Sequence, residues 1–184
     1  MRPKNEELWL ALFIAVALTA LYGSVLYATR AIPAAGSLFG HLLGIIGFIL
    51  MLMTEVLYSL RKRSRRARWG SMETWLKFHI LTGLVGPYMV LLHSSWKFHG
   101  LAGAVTLLTL LIVASGFVGR YIYTRIPRSL DGSETDDSAR AAGLAKTRRA
   151  MAVWYAVHIP LGMATFMAAF FHIGAALYYS TLLK

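Results

Sequence analysis

The chain has 184 residues, of which 57% are hydrophobic and only 15% are charged, yet it carries a formal net charge of +11. A soluble domain usually has about a quarter of its residues charged, and here the charges are clustered between long uncharged runs, so the composition excludes an ordinary soluble protein. Cysteine is absent, which excludes disulfides, thiol catalysis, iron–sulfur clusters and the covalent attachment of a c-type haem on this chain.

Five stretches of the sequence are predicted to cross a membrane. A helix needs about 20 largely apolar residues to span a hydrocarbon core about 30 Å thick, and this requirement is met at 8–28, 38–60, 75–93, 101–123 and 151–182. Turn-forming residues separate the stretches, among them Pro33, Gly100 and Pro127. The sequence therefore predicts an all-α integral membrane protein, a single domain over 1–184 in which five transmembrane helices form a bundle.

The distribution of Lys and Arg predicts the orientation of the chain. All of these residues except Arg30, Lys97 and Lys184 lie at the N-terminus, between the second and third spans, between the fourth and fifth, or at the adjoining helix ends. Basic residues are enriched on the cytoplasmic side, so we expect the N-terminus inside and the C-terminus outside. Topology and contact with anionic lipid headgroups explain the basic run at 61–68, and no nucleic-acid partner is predicted.

Six histidines are present, and four of them form two pairs with the same spacing. His79 and His93 stand at i and i+14 on the third span, and His158 and His172 stand at i and i+14 on the fifth. That separation corresponds to a rise of about 21 Å in just under four helical turns, so both members of a pair face the same way at two depths. Each of these spans therefore presents one histidine towards each side of the bilayer.

The two histidine pairs are expected to match in depth, because the third and fifth spans cross in the same direction. His79 is then level with His158 towards the cytoplasm, and His93 is level with His172 towards the outside. Two imidazoles at each of two depths predict two b-type haems, each with two axial histidines and no covalent link to the chain. A lone membrane histidine is as well explained by an interhelical hydrogen bond, but four with one spacing favour metal ligands.

Small residues follow the histidines at matching positions. Gly83 and Gly162 stand at i+4 from the first histidine of each pair, and Gly86 and Thr165 stand at i+7. A porphyrin that lies against a helix needs small side chains where its ring passes, so these four residues are predicted to contribute to cofactor binding. Glycine in a membrane helix is equally well explained by close helix packing, and for Gly83 or Gly86 alone this alternative stays open.

Paired histidines on two spans, with one span between them, resemble the ferric reductase-like transmembrane domain, and the i, i+14 spacing is similar to that of cytochrome b in quinol:cytochrome c oxidoreductases. The stretch SGFVGRYIYTRIPR at 115–128 resembles the end of the fourth span in bacterial cytochrome b-like membrane proteins. The resemblance covers about 72–180. It implies four axial ligands: His79, His93, His158 and His172.

The sequence departs from the ferric reductases in two respects. Those proteins typically have six spans and a flavin- and nicotinamide-binding domain, whereas this sequence has five predicted spans and contains no Gly-rich nucleotide loop. We therefore expect another polypeptide or a quinone to deliver or accept the electrons.

Four further residues are candidates for supporting roles. Arg120, near the cytoplasmic end of the fourth span, is a candidate partner for a haem propionate, with ordinary positive-inside anchoring as the alternative. Glu55, the only acidic residue deep in a span, is a candidate for proton transfer at a quinone site, or it extends towards the basic run. His41 and His99 are candidates for contact with the outer haem or with a third haem, and their alternative is interfacial placement.

Together these features predict a membrane di-haem b-type cytochrome that transfers electrons across the bilayer as the membrane subunit of a quinone-linked oxidoreductase. Its expected partners are the lipid bilayer, the quinone pool and further redox subunits, either a periplasmic cytochrome or a cytoplasmic flavin or iron–sulfur protein. Two alternatives remain open. One is a self-contained quinol dehydrogenase or ferric reductase, and the other is a haem-free transporter that uses its histidines as a relay.

Overall fold

A computed structural model describes residues 5–63, 70–131 and 137–181 of the chain. Over these residues the structure consists of five α-helices and contains no β-strand. The helices are α1 (Glu6–Thr29), α2 (Leu38–Arg63), α3 (Met72–His93), α4 (Gly100–Asp131) and α5 (Asp137–Thr181). The predicted all-α fold class is confirmed.

Each of the five helices contains a segment that is long and apolar enough to cross a membrane. The first three helices qualify over their whole lengths, whereas in α4 and α5 the qualifying segments are Gly100–Thr124 and Ala145–Tyr179. Large apolar side chains remain exposed on these segments, and Phe13, Met163 and Phe171 keep 65–70% of their surface. Such a surface is expected of an integral membrane protein, in which lipid tails surround the helices.

The last two helices are longer than their predicted spans. The sequence predicts a fourth span that ends near residue 123 with Pro127 as a stop, but α4 continues through Pro127 to Asp131. Similarly, α5 begins at Asp137, well before the predicted start at residue 151. A hydropathy window marks only the part of a helix that lipid can surround, and the helix itself can extend beyond the bilayer.

The chain forms two compact units, Met1–Thr106 and Leu107–Lys184. In the first unit α3 packs against both α1 and α2, and 33% of its span is buried, against 11% for α1. The core of this unit includes Leu43 of α2 and Val85 and Leu92 of α3. Because α3 contacts both neighbours, its span is the most buried of the first three helices.

Hydrogen bonds at the start of α3 tie it to the end of α2. Ser71 precedes α3 in an extended conformation, and its hydroxyl accepts a hydrogen bond from the Thr74 backbone N–H, as an N-cap does. The Arg61 guanidinium in the last turn of α2 donates to the Gly70 carbonyl at 3.2 Å. The Ser71 contact caps the start of α3, and the Arg61 contact ties the end of α2 to Gly70, just before α3.

In the second unit α4 and α5 run antiparallel. Trp154 of α5 packs against Gly119 of α4. Later in α5, Gly162 faces Ile112, which comes earlier in α4. The two helices therefore run in opposite directions. A Cβ at Gly119 would overlap the Trp154 ring. Only glycine leaves room for the indole at this point.

Candidate functional site

The two histidines of α3 meet α2 at matching intervals. Nδ1 of His79 lies 3.2 Å from the Thr54 carbonyl oxygen, and Nδ1 of His93 lies 2.8 Å from the Gly40 carbonyl oxygen. The separation of the two histidines along α3 is i to i+14, and the two carbonyl groups have the same separation along α2. The two histidines of α3 and the two carbonyl groups of α2 are therefore equally spaced, as expected for antiparallel helices in contact.

These hydrogen bonds fix the tautomer of both imidazole rings. A backbone carbonyl oxygen can only accept a hydrogen bond, so Nδ1 carries the proton in His79 and in His93. In a neutral ring Nε2 then carries the lone pair. Metal-binding histidines commonly have this arrangement, in which a carbonyl holds one ring N–H and the other nitrogen coordinates the metal.

Gly44 of α2 leaves the space that His93 occupies. A Cβ at Gly44 would lie 2.9 Å from Nδ1 of His93, which is too close for a real contact. Glycine is required at Gly40 for a different reason, because a Cβ there would collide with the Ala34 carbonyl in the segment before α2. These residues were not predicted from the sequence. The available signal was the spacing of Gly40, Gly44 and Gly47 at i, i+4 and i+7, which places three glycines on one helical face.

The two predicted binding glycines of α3 have different surroundings. Gly86 lies against Gly47 of α2, and a Cβ on either residue would come 2.8 Å from the carbonyl oxygen of the other. A Cβ at Gly83 would meet only Thr54 Cγ2, at an ordinary contact distance of 3.5 Å. Helix packing therefore requires glycine at 86 but does not require it at 83.

Hydroxyl and aromatic groups surround His79. The Tyr58 ring lies 4.8 Å from the imidazole, measured between ring centroids. Thr54, whose carbonyl is bonded to His79, donates its hydroxyl to the Thr82 hydroxyl at 2.6 Å, and both threonines are buried. A single residue of α2 is thus bonded to α3 at two points, which holds this part of α3 against α2.

His158 of α5 is held by two residues together. Its Nδ1 lies 3.0 Å from the Ser115 Oγ atom. The indole of Trp154 stacks on the imidazole, with the ring centroids 4.5 Å apart and the ring planes at 26°. The indole Nε1–H also donates to the Ser115 carbonyl oxygen at 2.7 Å. Neither Ser115 nor Trp154 was predicted as a site residue, because spacing within one helix carries no signal of a contact with another.

The residues that follow His158 along its face of α5 are buried. Gly162 is buried, Thr165 is 1% exposed and Ala169 is 7% exposed, while His172 is half-buried. A Cβ at Gly162 would have a single side-chain atom within contact range, at 3.9 Å. The predicted ligand face of α5 is therefore an inward face of the helix, and packing does not require glycine at 162.

The other predicted residues lie mostly at the surface. Glu55 is exposed, and its carboxylate accepts a hydrogen bond from a serine one turn later at 3.4 Å. His41 and His99 are exposed, and Nδ1 of His41 is 3.0 Å from the carbonyl of Ser37, the residue just before α2. Arg120 is half-buried in α4. Within the described ranges no three His, Asp or Glu side chains converge as metal ligands. A predicted axial pair consists of two histidines, so it would not form such a group of three.

Comparisons with protein-family models, with curated proteins and with solved structures found no match to this chain. The resemblance to the cytochrome b family therefore stays a prediction.

Proposed function

We propose that the chain is a membrane di-haem b-type cytochrome that carries electrons across the bilayer. His79 and His158 are the proposed axial ligands of an inner haem, and His93 and His172 those of an outer haem. This pairing rests on the sequence, because one membrane-spanning helix separates α3 from α5 and corresponding histidines then share a level. The observation that carries the proposal is the carbonyl hydrogen bond at Nδ1 of both α3 histidines, which leaves coordination to Nε2.

The groups around these histidines suit a b-type haem. A carbonyl bonded to Nδ1–H orients the imidazole and raises the electron-donating strength of Nε2. Gly83 and Gly162 stand at i+4 from the inner ligands, and packing does not require glycine at either place. A small residue there suits the close approach of a flat ring, and the buried Thr165 continues the same face of α5.

The haem iron would supply the one-electron redox chemistry. The chain itself holds the imidazoles at fixed depths, since α2 binds both histidines of α3 through its backbone. The apolar helices exclude water and provide a low dielectric around the ligands. Arg120 is proposed to pair with a propionate of the inner haem, which also places a positive charge near the cytoplasmic end of α4.

We further propose that the protein is the membrane subunit of a quinone-linked oxidoreductase in a bacterial cytoplasmic membrane, with the N-terminus inside. Its electrons would pass between the quinone pool and a partner redox subunit. Glu55 is the proposed proton-transfer group for a quinone on the cytoplasmic side, and its exposed carboxylate suits that role. His41 and His99 are taken as interfacial residues, which fits their exposure.

Alanine variants of the four histidines test this proposal. Each single variant is expected to reduce the haem content from two per chain to one, measured as the pyridine haemochrome of detergent-purified protein. His79→Ala and His158→Ala should lose the same haem, identified by its midpoint potential in a redox titration, and His93→Ala and His172→Ala should lose the other. The double variant H79A/H158A should retain one haem, whereas H79A/H93A should retain none.

His41→Ala is the matched control, because His41 is an exposed membrane histidine outside the two pairs. Its haem content and both midpoint potentials should equal those of the wild type. A loss of one haem in H41A would contradict the ligand assignment, because His41 would then be needed to hold one of the two haems. Four histidine variants that all keep two haems would contradict the proposal as a whole.

A further inference from the structure

The histidine contact in the second unit differs in kind from those in the first. His79 and His93 are bonded to backbone carbonyls, which no side-chain substitution can remove. His158 is bonded to the side-chain hydroxyl of Ser115. This contact orients the ring, and because it is made by a side chain, a substitution at Ser115 can remove it. A hydroxyl can either donate or accept a hydrogen bond.

Trp154 holds the same ring from its face, and it is itself fixed at three points. Its indole stacks on the His158 imidazole, its Nε1–H donates to the Ser115 carbonyl, and its ring fills the space left by Gly119. The hydroxyl of Ser115 therefore meets the imidazole while the carbonyl of the same residue anchors the indole. Rotation of the His158 ring would break the bond to Ser115 and disturb the stack.

Packing alone does not require this combination of groups. A phenyl ring at 154 could fill the space beside Gly119 but could not donate to Ser115, and an alanine at 115 would remove the hydroxyl that Nδ1 of His158 contacts. A ring held by both a hydrogen bond and a stack has one orientation. Metal ligands need such support, and loss of a supporting partner commonly weakens metal binding about 10- to 100-fold.

We propose that Ser115 and Trp154 are positioning residues for His158, and that the Ser115 hydroxyl accepts from Nδ1–H and thereby lowers the midpoint potential of the inner haem. The inference rests on the proposed function, in which Nε2 of His158 is the iron ligand. With Nε2 coordinating, Nδ1 must carry the proton, and Ser115 then accepts. A stronger hydrogen bond at Nδ1 makes the imidazole a better electron donor, which favours ferric iron over ferrous iron.

The experiment compares Ser115→Ala with Ser115→Thr, which keeps the hydroxyl, in the full-length protein purified with its native cofactor content. S115A is expected to raise the midpoint potential of one haem, the one that H158A removes, and to weaken its binding about 10-fold or more. S115T should restore both values towards the wild type. Thr124→Ala is the matched control, because the Thr124 hydroxyl donates to the Tyr121 carbonyl of its own helix.

Trp154→Leu and Trp154→Phe test the stacked indole in the same way. W154L, which loses both the stack and the N–H donor, should weaken inner-haem binding more than W154F, which keeps an aromatic ring. Trp9→Leu is the control, because Trp9 is 69% exposed on α1.

The outcomes separate this inference from the proposed function. If S115A binds two haems with wild-type potentials, the role of Ser115 is wrong while the di-haem proposal stands. If S115A loses the inner haem and S115T loses it equally, the hydroxyl is not what matters and the inference is also wrong. If W154L keeps wild-type haem binding and potentials, the indole has no positioning role. A wild-type protein that contains no haem overturns both proposals together.

Discussion

The absence of a side chain at Gly44 determines where the His93 ring lies. The imidazole sits against Gly44 of α2, with no room for a Cβ between them, and its Nδ1 bonds to the Gly40 carbonyl one turn away. The ring is thus fixed by backbone atoms on two sides. Contacts with rigid backbone atoms hold a side chain within a narrow range of positions, and metal coordination requires such a narrow range.

Gly44→Ala is predicted to affect the proposed outer haem and to spare the proposed inner one. The added Cβ would come within about 3 Å of three atoms of the His93 ring, so the imidazole must move out of its hydrogen bond. We expect the outer haem to be lost or bound at least about 10-fold more weakly, as measured by haem content and redox titration. The inner haem should keep its potential, because His79 is bonded elsewhere on α2.

Gly23→Ala is the control for this substitution, since a Cβ at Gly23 has nothing within 4 Å. Both haems should be retained in G23A. Wild-type binding and potential of the outer haem in G44A would show that His93 does not depend on this contact.

The α2–α3 pair is built on a seven-residue repeat. His79, Gly86 and His93 follow one another at steps of seven along α3, and each meets a backbone carbonyl of α2. The glycine contact in the middle brings the two backbones together, which places the carbonyl groups within reach of the histidines at both ends. Helix packing and the orientation of the two histidines therefore depend on the same register.

Gly86→Ala is predicted to destabilise the first unit. Its Cβ would come 2.8 Å from the Gly47 carbonyl oxygen and 2.9 Å from Met51 Cγ, and such overpacking costs about 1–3 kcal/mol. The free energy of unfolding in mixed detergent micelles measures this effect. Gly116→Ala on α4, where a Cβ meets nothing within 4 Å, should stay within about 0.5 kcal/mol of the wild type. Equal stability of the two variants would contradict the close contact.

The sequence was sufficient to predict the five helices, because a run of apolar residues long enough to cross a bilayer is a strong signal. It also predicted that His158, Gly162 and Thr165 share one face of α5, since helical periodicity determines which residues lie together. It could not supply the partners of the histidines. Gly44 and Ser115 are contacts between helices, and interhelical register depends on packing that no spacing within one helix encodes.

At the scale of the whole molecule, both units follow one plan. In each, a histidine-bearing helix is the second member of an antiparallel pair, and Nδ1 of its first histidine bonds to the helix before it. Most of the basic residues behind the net charge of +11 stand in the parts of the sequence that are predicted to face the cytoplasm. In that orientation the placement of charge would determine which of the proposed haems faces inwards.

Reporter fusions test this orientation. Alkaline phosphatase is active only outside the cytoplasm, so a fusion after Lys184 should be active, whereas one inserted between Asp131 and Asp137 should be inactive. Fluorescent protein fused at the same two places should give the reverse pattern. The opposite result at both places would invert the topology and exchange the inner and outer haem assignments.

A reduced-minus-oxidised absorption spectrum of the detergent-purified wild-type protein, with haem quantified per chain, tests whether the chain is a di-haem cytochrome. We expect the Soret and alpha bands of low-spin b-type haem, two haems per polypeptide and two separable midpoint potentials. A protein that is folded and pure but has no such bands, even after expression with added haem, would rule out the di-haem cytochrome and favour a haem-free role for the four histidines.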